Sequence, residues 1–161
     1  GVGVLVSFME FRQRPAVGAM ASPADGETPR RLPLVELPVM EETQMGMSLG
    51  LAMTGKTVIT FYPRWDFIIL AANQLINHVD KFSLMTGKKI NLLIRLGKGS
   101  DKPLDPGHQH KGNYFEEFKS MCPNIRFHDL KETHNIIPAW SAAYNNGGVH
   151  VLVEYPELYY S

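Results

Sequence analysis

Two carboxylates stand side by side at Glu41 and Glu42, at the head of the segment P-V-M-E-E-T-Q-M-G-M-S-L-G-L-A-M-T-G from Pro38 to Gly55. The segment predicts a helix from Glu42 to Thr54, closed by Gly55. Acidic residues at a helix start sit where the helix dipole favours negative charge. Gly46 and Gly50, four apart, share one helix face and strip it of side chains. Such a face admits another backbone or subunit at close range, or packs tightly inside the chain's own core. A second group follows in F-Y-P-R-W-D-F at 61–67, an aromatic run ahead of a helix. A third is the loop D-P-G-H-Q-H-K-G at 105–112. His108 and His110 suit proton transfer or substrate holding near neutral pH. With Asp105 they also suggest a metal site, but a histidine pair without a second cluster at ligand spacing argues weakly for one. Cys122, the single cysteine, precedes Pro123 at a predicted helix end and reads as structural.

The elements that must position these groups alternate. Val2–Ser7 is a β-branched run that predicts a buried strand. Arg12–Pro33, with four prolines and two glycines, reads as a long and partly mobile loop. Leu34–Val39 predicts a short strand. Thr57–Phe61 and Ile90–Leu96 are strong strand patterns, separated by a long helix from Asp66 to Met85 with Asp66 as N-cap and Gly87 past its end. Beyond the loop Gly97–Gly112 come a short helix (Asn113–Met121), a strand (Ile125–His128), a helix to about Tyr144 and a last strand (Val149–Glu154). Pro138 must either start that last helix or kink it. Strands alternating with helices predict one doubly wound α/β domain, its mostly parallel sheet flanked by helices. Ligands collect beyond the carboxyl ends of such strands, which directs attention to the loops after Val39, Phe61 and Leu96. The organisation expected is an N-terminal strand and loop over 1–33 and a domain over 34–161.

The 161 residues suit one core, and 44% hydrophobic with 20% charged residues is an ordinary globular mix. Sixteen basic residues balance sixteen acidic ones, without a basic run, so neither nucleic acid nor an anionic membrane is expected as partner. A lone cysteine and no apolar run of membrane-spanning length give the expectation of a soluble, cytoplasmic protein.

Read together, these groups resemble the transketolase-like pyrimidine-binding domain of thiamine diphosphate enzymes, and more closely the β subunits of 2-oxoacid dehydrogenase decarboxylase components. That family has a small residue or proline, a glutamate three places on, and glycines five and nine residues after it; counting from Pro38 gives Glu41, Gly46 and Gly50. The similarity continues through Thr57–Phe61 into the aromatic run. It extends along the helix bearing A-A-N-Q-L-I-N-H-V-D-K and M-T-G, which matches the family's Q-x-x-N…K…M-S-G character. It covers roughly Leu34 to Tyr155. The resemblance implies that Glu41 hydrogen-bonds N1′ of the aminopyrimidine, favouring the tautomer whose 4′-nitrogen takes the thiazolium C2 proton. Glu42 is its rival for that role. Phe67 is implied to pack on the pyrimidine ring, with Trp65 also at the cofactor, and His110 to assist proton transfer or hold substrate, with His108 as its rival.

A thiamine enzyme also carries a magnesium-diphosphate site, usually Gly-Asp-Gly followed by paired asparagines. The chain has no Gly-Asp-Gly, and Asp25-Gly26 is far from Asn145-Asn146. The C-terminal domain and leading helix of the β subunits are not matched either. The resemblance therefore implies a partner subunit or domain that holds the diphosphate and magnesium, in a homodimer or hetero-oligomer. The reaction implied is on a 2-oxo acid or ketose. The other reading is a non-catalytic pyrimidine-domain protein serving as a binding or assembly module.

Overall fold

The computed structural model describes residues 4–7, 33–102 and 104–159; most of the Arg12–Pro33 stretch lies outside them. Six strands form one sheet in the order β2-β1-β3-β4-β6-β5, with every neighbouring pair parallel. They are β1 (Val4–Ser7), β2 (Leu34–Glu36), β3 (Thr57–Tyr62), β4 (Asn91–Gly97), β5 (Arg126–Leu130) and β6 (Val149–Glu154). β1 lies between β2 and β3, so the N-terminal strand belongs to the same sheet, and a boundary at 33 does not divide the fold.

The β3 and β6 sequences are apolar almost throughout because both faces of a parallel sheet are covered. Side-chain alternation sorts them. Val58, Tyr62, Leu92, Ile94, Leu96, Val151 and Val153 join one core with α1 (Glu41–Met53), α2 (Trp65–Leu70) and α4 (Phe115–Met121). Ile59, Phe61, Leu93 and Leu152 face the other way, onto Ile136, Trp140 and Ala143 of α5 (Thr133–Asn146). The sheet is thus covered on both sides, as the doubly wound pattern predicts. At the carboxyl end, Glu154 ties α5 down: it accepts from Trp140 Nε1 (2.7 Å), from Arg95 Nε (2.7 Å) and from the Tyr159 hydroxyl.

Two expectations change. The helix predicted over Asp66–Met85 begins at Trp65 with Arg64 as N-cap, and it is interrupted. Gln74–Val79 is π-helical, marked by the Asp80 N–H bonding to the Leu75 carbonyl five residues back (2.9 Å), before α3 (Phe82–Thr86) resumes. One extra residue per turn rotates the later face, and such bulges often lie beside functional sites. Gly87 does end the run, in a left-handed conformation (φ 68°). α5 begins five residues before Pro138 and runs through it, so of the two alternatives the proline does not start the helix. Cys122 is buried, and burial pushes its thiol up to about 12, which makes it unreactive at neutral pH.

Toward the amino end of the sheet, His128 Nε2 and His150 Nδ1 are 2.9 Å apart in stacked rings, and His150 Nε2 meets the Gly147 carbonyl at 3.0 Å. Burial holds both imidazoles below their ordinary value. At His128 the neighbouring His150 and Arg126 add to the effect; at His150 Arg126 adds to it and the Gly147 carbonyl opposes it. The unfolded chain then binds more protons than the folded one as pH falls through about 6.5. Stability is full above that pH and is lost below it. Thermal melts at pH 7.5 and 5.5 should differ by a few degrees, and His128→Asn should narrow the gap; an unchanged gap would exclude the pair as its source.

Candidate functional site

The chain reaches the carboxyl edge of the sheet three times with chemistry-bearing residues. Glu41 opens α1 five residues after β2 ends, Phe67 lies in the first turn of α2 after β3, and His110 follows the loop after β4. All strands run the same way, so all three segments leave from one edge, where open α/β sheets bind ligands.

Glu41 is buried, only 6% exposed, whereas Glu42 is exposed and accepts a hydrogen bond from Asn73 Nδ2 (3.3 Å). Of the two carboxylates, then, Glu41 is the buried one and Glu42 the exposed one. Two side chains fasten this helix start to the end of β3. The Tyr62 hydroxyl donates to the Glu41 carbonyl (3.1 Å), and Gln44 Nε2 donates to Thr60 Oγ1 and the Phe61 carbonyl, both at 2.8 Å. Burial, with the Glu41 charge beside it, raises the Tyr62 phenol far above its ordinary value and keeps it a neutral donor. No hydrogen bond to the Glu41 carboxylate is found among the described residues.

Phe67 and His110 come together: their rings stack with centroids 5.3 Å apart and planes at 23°. Both are half-buried. His108 is exposed, so of the two histidines His110 is the one directed into the structure. His110 Nδ1 is buried without a hydrogen-bond partner. Gly99 makes the close approach possible, because a Cβ there would stand 1.8 Å from the His110 carbonyl oxygen. Asp105 accepts from Gly107 N (2.8 Å) and pairs with Lys111 (2.8 Å), and the lysine and the Gly107 amide hold its carboxyl below the usual range.

Trp65 corrects the expectation drawn for it. It has no exposed surface and stacks on Phe118 at 5.5 Å, so its ring serves the core and not a ligand face. Met45 is likewise in the core, while Met47 and Met53 are exposed. The α1 glycines are not required by packing among the described residues. A Cβ at Gly50 would meet nothing within 4 Å, and one at Gly46 only Gln74 Oε1 at an ordinary 3.7 Å. Gln44 and Arg64 are not singled out by sequence, and Asp66 only as a helix N-cap. Gln44 carried a signal, a polar residue on the helix's inward side, one turn after Glu41.

No family model matches the chain. In fold it is similar to a solved structure described as split gene transketolase, inactive beta4 tetramer, with a TM-score of 0.59 and 16% identity, over 96% of this chain and 45% of that one. The fold is transketolase-like. In sequence the chain is 26% identical over 130 residues to the pyruvate dehydrogenase E1 component subunit beta of Chaetosphaeridium globosum, a match covering 80% of this chain and 39% of that protein. The chain thus spans less than half the length of either relative. Both likenesses agree with the resemblance to a transketolase-type pyrimidine domain that the Glu41, Gly46, Gly50 and Phe67 spacing carries. No helix among the described residues is long and apolar enough to cross a membrane.

Proposed function

We propose that the chain supplies the pyrimidine side of a thiamine diphosphate site, in an enzyme that cleaves the bond next to the carbonyl of a 2-oxo acid or ketose. The observation that carries this reading is the buried Glu41 carboxylate, unbonded among the described residues, at the carboxyl edge of the sheet. The residues present fit the group. Glu41 would bond the aminopyrimidine ring nitrogen, and Phe67 offers a half-buried aromatic face for that ring. When bound, the cofactor supplies a carbanion that adds to a carbonyl and stores the electrons of the broken bond. Glu41 sets the ring's protonation, Tyr62 and Gln44 fix the helix start that carries it, and His110 stands ready to hold or move a proton at its free Nδ1. The diphosphate and magnesium fall to a partner, because the chain has no Gly-Asp-Gly. The open α1 face at Gly50 is where a neighbouring subunit would approach.

The non-catalytic reading has one observation in its favour: the structural relative is an inactive tetramer of β chains. Turnover separates the two. The chain mixed with a protein bearing Gly-Asp-Gly and paired asparagines should oxidise a 2-oxo acid with an artificial electron acceptor, and neither component should do so alone. Stable association without turnover would support the assembly module.

A further inference from the structure

Arg64 lies between the last residue of β3 and the first of α2, in extended backbone (φ −145°, ψ 157°). Its Nη1 donates to the neighbouring Pro63 carbonyl (3.0 Å), and its Nε is buried without a partner. No ion pair to Arg64 is found among the described residues, and Asp66, two residues on, keeps a buried Oδ2 that is also unpartnered. Trp65 Nε1 and His110 Nδ1 are likewise buried without partners, and the Arg64 and His110 segments converge. The convergence is direct. An imagined Cβ on Gly99 would lie 3.3 Å from Arg64 Cδ and 1.8 Å from the His110 carbonyl oxygen, so the Arg64 stem and the His110 backbone pack on the same glycine. The Phe67 ring closes the group by stacking on His110.

A half-buried guanidinium without a carboxylate is an unusual thing for a fold to keep, since such groups are ordinarily paired. With Nη1 engaged, the edge that remains is Nε with Nη2, which takes two oxygens of a carboxylate side by side. We propose that Arg64 is a substrate-binding residue that anchors the carboxylate of a 2-oxo acid beside His110. The inference rests on the thiamine reading and narrows it, because in a 2-oxo acid the carboxylate is bonded directly to the reacting carbonyl carbon. An anchor for it must therefore lie close to the proton-moving group, as Arg64 does. A neutral ketose has no anion for this edge.

The test is a nuclear magnetic resonance titration of the full chain with pyruvate, reading the Arg64 Nε–H resonance. A saturable shift at millimolar pyruvate is expected, with no shift from uncharged dihydroxyacetone. Arg64→Gln should weaken the pyruvate response of the His110 ring at least tenfold, and Arg64→Lys should recover part of it. An Nε–H resonance unmoved by pyruvate, moved equally by dihydroxyacetone, or a wild-type response in Arg64→Gln overturns the assignment. Thiamine, titrated separately, reports the underlying reading through Phe67 and the amides of 41–44. Failure with pyruvate alone removes the Arg64 anchor, and failure with thiamine alone leaves a carboxylate site and removes the cofactor.

Discussion

Replacing Glu41 with glutamine is expected to lower turnover of the assembled enzyme on the order of 100-fold or more, with the fold intact. Glutamine keeps the size of the side chain but cannot supply the negative charge that raises the basicity of the pyrimidine. The effect on stability should run the other way. No hydrogen bond to this carboxylate is found among the described residues, and the residue is only 6% exposed, so its replacement should leave the melting temperature unchanged or raise it. A gain or no change in stability with a large loss of turnover is the mark of a group kept for chemistry. Glu42→Gln touches only an exposed residue and its contact with Asn73, and should leave both quantities near wild type. Steady-state kinetics with thermal melts on the two variants decide. If Glu42→Gln is the damaging change, the register is off by one.

Gly50→Leu is expected to abolish self-association while leaving a folded monomer. Glycine in a helix interior costs about 0.5–1 kcal/mol relative to alanine, and nothing among the described residues demands it at position 50, where a Cβ would meet none of them within 4 Å. Contact with a second chain would compensate the cost. In the absence of the true partner, the exposed α1 face, with Met47 and Met53 beside the glycine, should pair with its own copy about a two-fold axis. Light scattering with circular dichroism checks this. The variant monomer should be at least as stable as the wild-type monomer, because leucine is the better helix former. A wild-type monomer at high concentration would remove the interface.

Much of the fold was legible because parallel strands covered on both faces are written as apolar runs: β3, β4 and β6 each lie within a residue of the predicted span. The π-helical turn was not, since Ile68, Ala71, Leu75, Val79 and Phe82 keep a helical apolar spacing, and the added residue arises from one bond, Asp80 to Leu75. Trp65 and Phe67 illustrate the limit at the site. Two residues apart on a helix they point roughly opposite ways, and only the positions of Phe118 and His110 show that the first ring stacks in the core and the second on the histidine. That Glu41 is buried and Glu42 exposed, and His110 half-buried and His108 exposed, is a difference that neighbouring residues of the same type cannot express. Arg64 escaped notice because its distinction is the lack of a partner, a property of three-dimensional neighbours alone.

Calorimetric titration of thiamine diphosphate with magnesium into the purified chain tests the central claim most directly. The charged half of the cofactor finds no Gly-Asp-Gly site in this sequence, so no micromolar binding is expected from the chain alone. Adding a partner that carries Gly-Asp-Gly and paired asparagines should bring tight binding, weakened by Glu41→Gln. Micromolar binding by the isolated chain would contradict the account.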